Sequence, residues 1–126
     1  MNTPKELKYS RTHEWLRVME NGHVLIGITD HAQDQLGDLV YINLPEEGDS
    51  VEKDAAFGDV ESVKAVSDLN SPVTGTVCAV NTELQDEPEK MNRDPYGSWI
   101  IEVEDAVIPD DLMSAEEYEQ FAAEDK

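Results

Sequence analysis

Short apolar runs separated by turn residues make up the hydrophobic pattern of the first part of the chain. Two such runs, at 15–18 and 23–28, stand on either side of Asn21 and Gly22. An Asn-Gly pair between two apolar runs is typical of a tight β-hairpin, because both residues tolerate the left-handed backbone of the turn. We therefore expect the chain to begin with a hairpin.

The segment after this hairpin predicts one short helix followed by a strand. Thr29 or Asp30 offers an N-cap for the helix, and Gly37 offers its C-terminal end. Residues 38–44 carry apolar side chains at both odd and even positions. A strand that is covered on both faces has this pattern, so we expect a central strand there.

The stretch from Phe57 to Val77 has an ambiguous period. Its apolar residues recur every third position, as they would on one face of a helix: Val60, Val63, Val66 and Leu69. The β-branched residues, Gly58 and the turn residues at 70–72 instead favour strands joined by tight turns. Periodicity alone leaves both interpretations open. If two strands meet near Lys64, its amine lies at a hairpin tip, within reach of other proteins.

The later part of the chain predicts more short elements. Residues 83–90 are polar and favour a short helical turn near Pro88, and the turn residues of 92–98 favour a loop. A last strand is expected at 99–103. Many short strands with glycine and proline turns, and only brief helices, indicate a small β-barrel or sandwich.

A capping-box pattern precedes the C-terminal segment. Ser114 is followed three residues later by Glu117, and this pair is typical of the start of a helix. The helix would be amphipathic, with Tyr118 and Phe121 facing inward. The chain is long enough for one domain, so we expect a single domain over residues 1–126, with a core over about 10–105 and a C-terminal helix over about 114–123.

The net charge of the chain limits the classes of molecule that are expected to bind it. The 126 residues include 29 acidic and 9 basic side chains, for a formal net charge of -20. Such a chain is repelled by nucleic acid and by anionic membrane surfaces, so neither is expected as a partner. The N-terminal residues lack the pattern of a signal or transit peptide, and we expect the chain to work in the cytoplasm. Salt would screen its self-repulsion, which suggests adaptation to a salty cytoplasm.

The sequence shows no set of residues typical of an enzyme or a metal protein. His13, His23 and His31 lack zinc-ligand spacing, and no glycine-rich phosphate loop or aspartate-rich calcium loop is present. His13 stands next to Glu14, but adjacent residues of a strand face opposite sides. The single cysteine, Cys78, excludes an internal disulfide, and its apolar neighbours predict a buried small side chain. Independent catalysis is therefore disfavoured.

Six ordered motifs carry a resemblance to a known family. They are LKYS and HEWL within 7–16, GITDHAQDQLGDLVYINLPEEG at 27–48, VESVKAVSD at 60–68, SPVTGTVCAVN at 71–81 and NRDPYGSW at 92–99. The most specific part is ESVKA around Lys64, with Gly75 eleven residues downstream. The chain thus resembles the H proteins of the glycine cleavage system, which are lipoyl-bearing carriers.

This resemblance implies a mainly β fold, a lipoyl-type barrel-sandwich hybrid with short peripheral helices and a C-terminal helix. Lys64 would lie at a hairpin tip, which favours two strands over a helix in the ambiguous stretch. Lipoic acid would be joined to the Lys64 amine as an amide, giving an arm of roughly 14 Å by bond lengths.

The resemblance also implies a non-catalytic role with several enzymes. The lipoyl group would take the aminomethyl group of glycine from a pyridoxal-phosphate glycine decarboxylase and pass it to a tetrahydrofolate-dependent aminomethyltransferase. Dihydrolipoamide dehydrogenase would then reoxidise the group by thiol and disulfide exchange. A lipoate ligase or lipoyl transferase would attach it. The alternatives are a relay donor of lipoyl groups to other enzymes, and an unmodified interaction module.

Four acidic or polar residues are candidates by the same resemblance. Glu61, Ser62 and Asp68 lie where a lipoylating enzyme would read the hairpin, although ordinary exposed polar residues are the alternative. Glu14, with Asp68 as a weaker candidate, would hold the cationic amine of the loaded arm in a surface cleft by a charged hydrogen bond.

Two further points stay open at this level. His31 and Gln35 lie on the predicted short helix, where a solvated face and a cleft role are both compatible with the sequence. The chain also departs from the family pattern before Trp99, because Ser98 leads directly into it where one more residue is usual. This departure leaves the geometry of that loop undetermined.

Overall fold

The computed structural model describes residues 3–124, so the first two and last two residues of the expected domain lie outside the described part. Within that part, nine strands and four helices follow in chain order: β1 (Lys8–Tyr9), β2 (Glu14–Val18), β3 (Val24–Ile28), α1 (Asp30–Leu36), β4 (Leu39–Asn43), β5 (Ser50–Val51), β6 (Ala56–Ser62), β7 (Val66–Asn70), β8 (Thr74–Val80), α2 (Glu83–Asp86), α3 (Lys90–Arg93), β9 (Ile101–Val107) and α4 (Ala115–Glu124).

The strands form two antiparallel sheets. One sheet has six strands in the order β1-β2-β3-β9-β8-β5, and the other has three in the order β4-β6-β7. The main apolar cluster includes residues from both sheets, with Ile26, Val77 and Val103 from the larger one and Ile42 and Val60 from the smaller one. The core therefore lies between the sheets, as in a sandwich or barrel.

The expected N-terminal hairpin is confirmed. Strands β2 and β3 pair across the Asn21–Gly22 turn, where Gly22 has a φ of +87°. Trp15 lies directly opposite Gly27, and a Cβ at Gly27 would come within 2.6 Å of the indole ring. The glycine in the middle of β3 thus leaves the space that the buried Trp15 ring occupies.

Helix α1 begins and ends where the sequence indicates. Thr29 is its N-cap, and the Thr29 side chain accepts a hydrogen bond from the Ala32 N–H at 3.1 Å. Gly37 ends the helix with a φ of +82°, and its N–H donates to the Gln33 carbonyl. These contacts satisfy backbone groups that would otherwise lack partners at the two ends.

The expectation of a central strand at 38–44 is wrong. Strand β4 occupies Leu39–Asn43 but lies at an edge of the three-stranded sheet. Its apolar side chains divide between the two faces, since Leu39 and Ile42 are buried whereas Val40 and Tyr41 are exposed. One face of this strand therefore packs in the core and the other is an exposed apolar surface. Within residues 3–124, no other element covers that second face.

The ambiguous stretch forms strands, and the helical interpretation of its three-residue period is wrong. Strands β6 and β7 pair as a hairpin with Asp59 opposite Asp68, Val60 opposite Ser67 and Glu61 opposite Val66. Residues 63–65 form the turn between them. Lys64 therefore lies at the tip of the hairpin.

The C-terminal helix packs on the outer end of the larger sheet. The Ser114 hydroxyl accepts from the Glu117 N–H and the Glu117 carboxylate accepts from the Ser114 N–H, which confirms the capping box. Tyr118 is fully buried and stacks on Tyr9 with ring centroids 4.7 Å apart, and Phe121 packs partly buried on the same cluster. The inward positions of both aromatic residues are thereby confirmed.

Three expectations for the second half of the chain need correction. The last strand is Ile101–Val107, so it begins two residues after Trp99 and extends further. The expected helical turn within 83–90 is present as α2, but α3 occupies the start of the expected 92–98 loop, and Pro88 lies between the two helices. Cys78 is partly exposed and not buried. It is the extra residue of a β-bulge, which disturbs the alternation of buried and exposed positions.

The loop before Trp99 is held by side-chain hydrogen bonds. The Gly97 N–H donates to the Asp94 carboxylate at 3.1 Å, and the Ser98 hydroxyl donates to the Lys90 carbonyl at 3.0 Å. The Asn81 amide donates to the Trp99 carbonyl at 2.8 Å.

None of the helices in residues 3–124 combines the length and the apolar character that a membrane crossing requires.

Candidate functional site

The Lys64 turn is shaped by Ser62. The Ser62 N–H donates to the Ala65 carbonyl at 2.8 Å, which closes the turn. The Ser62 hydroxyl oxygen accepts from the N–H groups of Lys64, at 3.2 Å, and Ala65, at 3.0 Å. A serine that accepts from the backbone two and three residues later is a common way of fixing a turn. Ser62 therefore has a structural role whatever its role in recognition.

The Lys64 turn is also hydrogen-bonded to the loop between α1 and β4. The Val63 N–H donates to the Asp38 carbonyl at 3.0 Å, between Gly37 and the start of β4. A Cβ at Gly37 would lie 3.5 Å from Lys64 Cε, so the lysine stem passes next to this glycine. The backbone of the tip is therefore held on both sides while the Lys64 side chain is exposed.

Exposed apolar side chains surround Lys64. Val63 and Val66 have 69% and 67% of their surface exposed, although both are β-branched apolar residues. Tyr41, Glu61 and Val66 lie directly opposite one another on three neighbouring strands, and all three are exposed. This row, together with Val63, presents an apolar surface with one carboxylate beside the lysine. Such a surface is typical of a protein-binding site.

A cleft of about 240 Å³ opens between α1, the loop before β2, and β7. Its lining residues are Thr12, His13, His31, Ala32, Gln35, Leu36 and Ser67. His31 and Gln35 thus belong to a cleft, which favours the second of the two interpretations of their helix face. Thr12 and Ser67 were not among the residues expected from the sequence, because no motif relates two positions so far apart in the chain.

Aromatic and histidine side chains hold one wall of this cleft. The His13 and His31 rings lie 4.7 Å apart between centroids, and His13 Nδ1 is hydrogen-bonded to the Tyr118 hydroxyl at 2.7 Å. The same hydroxyl is hydrogen-bonded to Thr29 Oγ1 at 2.7 Å. Tyr118 therefore connects the C-terminal helix to the N-cap of α1 and to the cleft.

Glu14 is buried directly behind Thr12, with only 2% of its surface exposed. Its carboxylate accepts from the Ser10 hydroxyl at 2.8 Å, from the Thr12 hydroxyl, and from the Asn70 N–H at 3.2 Å. Burial raises the pKa of Glu14 to about 7, although these hydrogen bonds act in the opposite direction. Glu14 is not one of the cleft-lining residues, but its hydrogen-bond partner Thr12 is.

The structure places the other sequence candidates on the hairpin surface. Glu61 and Asp68 are exposed on β6 and β7, and Asp68 lies opposite Asp59. Neither carboxylate lines the cleft. Val63 and Val66, whose spacing would place them on one face of a helix, are exposed and lie one and two residues from Lys64 in the chain.

Comparisons with known proteins agree with this architecture. The family model described as glycine cleavage H-protein matches residues 7–125. A glycine cleavage system H protein of Halalkalibacterium halodurans is 54% identical over 98% of this chain and 98% of that protein. One from Rubrobacter xylanophilus is 52% identical over 98% of this chain and 97% of that protein.

A solved structure provides the same result for the fold. The crystal structure of a glycine cleavage system H protein from Mycobacterium marinum is 40% identical and superposes with a TM-score of 0.86. The match covers 93% of this chain and 96% of that chain. The expected barrel-sandwich hybrid is thereby confirmed. The chain belongs to the glycine cleavage H-protein family, the non-catalytic lipoyl carriers of the glycine cleavage system.

Proposed function

We propose that Lys64 carries lipoic acid, joined to its side-chain amine as an amide, and that this arm serves the glycine cleavage system. The observation that carries the proposal is an exposed lysine at the tip of a hairpin whose turn is fixed by hydrogen bonds. A fixed backbone presents the amine in one place, while the side chain stays free to move. An arm that visits several active sites needs both properties.

The surroundings of Lys64 fit this modification. Among residues 3–124, no carboxylate forms an ion pair with the Lys64 amine, so acylation removes a charge without breaking such a contact. Gly37 carries no side chain that would crowd the lysine stem. The attached group would supply the disulfide that carries the aminomethyl group of glycine, and the protein would supply its placement.

The partners follow from this role. They are glycine decarboxylase with pyridoxal phosphate, the tetrahydrofolate-dependent aminomethyltransferase, dihydrolipoamide dehydrogenase, and a lipoate ligase or lipoyl transferase. The exposed apolar row beside Lys64 supports direct docking of such proteins. The net charge of -20 favours partners with basic surfaces. We propose that the whole chain, residues 1–126, acts as one carrier domain in the cytoplasm.

Glu61, Ser62 and Asp68 are proposed as the residues that a lipoylating enzyme reads. Glu61 is supported by its exposed position in the row beside Lys64, and Ser62 by its control of the turn. Asp68 is the weaker candidate because it lies two residue pairs further from the tip.

Glu14 is proposed to hold the amine of the loaded arm. The cleft lined by Thr12 and His13 supports this role, because it lies against the segment that carries Glu14. A buried carboxyl group with a raised pKa is one that an approaching cation would ionise, and the resulting charged hydrogen bond would retain the amine. To meet it directly, the amine would displace the Thr12 hydroxyl.

The intact mass of the chain from its native host, grown with a lipoate source, tests the attachment site. The unaltered chain should carry the mass of one lipoyl group, and Lys64→Arg should carry none. Lys53→Arg is a matched control, because Lys53 is also an exposed lysine. An unmodified wild-type chain would overturn the proposal and favour an interaction module. Reduced lipoylation of 2-oxoacid dehydrogenases after gene deletion would indicate a relay donor.

A further inference from the structure

We propose that His23, Cys78 and Glu102 form a binding site for a divalent transition-metal ion, with zinc as the best match to the donor set. These three side chains offer one nitrogen, one sulfur and one oxygen ligand, all within 4.8 Å of one another. Imidazole, thiolate and carboxylate together suit zinc, whereas magnesium and calcium prefer oxygen ligands alone. This site does not depend on the proposed role of Lys64.

Two of the three distances between ligand atoms match those expected around a tetrahedrally coordinated zinc ion. Zinc bond lengths place sulfur about 3.5–3.6 Å from a nitrogen or oxygen ligand and nitrogen about 3.4 Å from oxygen. Here Cys78 Sγ lies 3.7 Å from His23 Nδ1 and 3.5 Å from Glu102 Oε2. His23 Nδ1 and Glu102 Oε2 are 2.6 Å apart, as a direct hydrogen bond. Metal binding would require this third distance to lengthen by about 0.8 Å, from 2.6 Å to about 3.4 Å.

The backbone brings the three ligands to one face of three neighbouring strands. His23 directly precedes β3, Glu102 lies on β9 and Cys78 lies on β8, and these strands are adjacent in the larger sheet. Val77 pairs with Val103 and Ala79 pairs with Glu102, so Cys78 is one extra residue between two successive pairs. Bulges of this kind frequently redirect a side chain beside a functional site.

The turn before β3 fixes His23 as well. The His23 N–H donates to the Asn21 side chain at 2.9 Å, and the Met19 N–H donates to the His23 carbonyl at 2.8 Å. The hairpin residues Asn21 and Gly22 therefore also position a metal ligand. This explains how a histidine without any ligand spacing in the sequence comes to face a cysteine 55 residues later.

The cluster is accessible yet partly sheltered. The side chains of His23 and Glu102 have 30% and 20% of their surface exposed. An ion held by three protein ligands would keep its fourth position for water, as in open zinc sites. On binding, the Cys78 thiol would release its proton to the solvent, because the thiolate is the ligand. The net charge of -20 favours a cation at this surface.

Titration of the full-length chain with Co²⁺ tests the site, with any lipoyl group kept in its disulfide form. One equivalent should bind and produce the charge-transfer absorption of a cobalt thiolate. Cys78→Ser should abolish this absorption, and His23→Gln should weaken affinity by more than about tenfold. Glu104→Gln is the matched control, because it removes a charge from the same strand without removing a ligand. Absence of thiolate absorption in the unaltered chain would overturn the proposal.

Two measurements on the unaltered chain test the metal site without relying on variants, whose folding the substitutions would affect. Saturating Zn²⁺ should slow alkylation of Cys78, the single thiol of the chain, by at least about tenfold relative to chelator-treated protein. It should also raise the midpoint of thermal unfolding by on the order of 5–10 °C. Equal alkylation rates with Zn²⁺ and with chelator would contradict the site.

Discussion

The Glu14 carboxylate accepts a hydrogen bond from the Asn70 N–H at 3.2 Å and thereby joins the two sheets. Glu14 is the first residue of β2 in the six-stranded sheet, and Asn70 is the last residue of β7 in the three-stranded sheet. The hairpin that presents Lys64 is consequently fixed at its base by a buried acid. Properties of this acid should affect both the stability of the fold and the behaviour of the site.

Replacing Glu14 with glutamine should flatten the dependence of stability on pH. Burial raises the pKa of Glu14 in the folded chain from 4.5 to about 7, so folding favours the protonated form. This contribution is fully present below about pH 4.5 and is lost as the pH rises to about 7, which amounts to on the order of 3 kcal/mol. Urea unfolding of both proteins across this range measures the difference.

Glu119→Gln is the matched control for that experiment, because it removes an exposed carboxylate from α4. It should leave the pH profile close to that of the unaltered chain. Parallel profiles for the Glu14→Gln protein and the unaltered chain would contradict a raised pKa at Glu14.

The same Glu14→Gln substitution should shorten the lifetime of the aminomethyl group on the lipoylated chain. Glutamine keeps the shape but provides no charge, and a hydrogen bond to a charged group contributes about 1.5–3 kcal/mol, so loss should speed up by roughly tenfold or more. Release of ammonia or formaldehyde from the loaded chain measures this rate. Glu61→Gln should leave it unchanged, and an equal rate in both variants would refute the role of Glu14.

Removing the Ser62 hydroxyl should make Lys64 a poorer substrate for lipoylation. Ser62→Ala loses the acceptor for the N–H groups of Lys64 and Ala65, which should cost about 1 kcal/mol and loosen the tip. We expect a fall of roughly fivefold in kcat/KM of the lipoylating enzyme. Ser67→Ala is the control in the same hairpin, since within residues 3–124 the Ser67 hydroxyl makes only a 3.5 Å contact with the Asp68 carbonyl. Equal rates for the two variants would exclude a role for the turn.

Polar replacement of the exposed valines should weaken partner binding without affecting the fold. Val63→Thr and Val66→Thr keep the β-branched shape but remove apolar surface, and each should lower affinity for the lipoylating enzyme by roughly fivefold, or about 1 kcal/mol. Val107→Thr tests specificity, because Val107 is 68% exposed on the other sheet. Stability of all three should change by less than about 0.5 kcal/mol. Unchanged affinity would show that these valines do not contact the enzyme.

The sequence correctly predicted those turns and helix ends that are stabilised by contacts between residues close together in the chain. The Asn21–Gly22 turn, the Thr29 cap and the Ser114 capping box are each defined by contacts within a few residues. The error at β4 arose because apolar residues on both faces of a strand indicate burial only if both faces are covered. Val40 and Tyr41 are exposed beside the Lys64 hairpin, and no local pattern distinguishes a binding surface from a core.

The candidate site was predictable only where one motif contained it. Lys64 and Ser62 lie in a single short motif, and the resemblance carried by that motif favoured the hairpin where the apolar period left a helix open. The cleft combines Thr12 with Ser67, and the metal cluster combines His23 with Cys78, through pairings of strands that are distant in sequence. The bulge at Cys78 is likewise a property of the pairing register, which sequence periodicity does not report.

Strands β4 and β7 are the open edges of the three-stranded sheet, and Lys64 is on the turn next to one of them. Unpaired strand edges can associate with one another and lead to aggregation. Asp68 on β7 faces Asp59 across the hairpin, so another edge approaching β7 would meet concentrated negative charge. Negative charge on this edge therefore keeps copies of the chain apart although apolar side chains are exposed near Lys64, and high salt or neutralised carboxylates would weaken this separation.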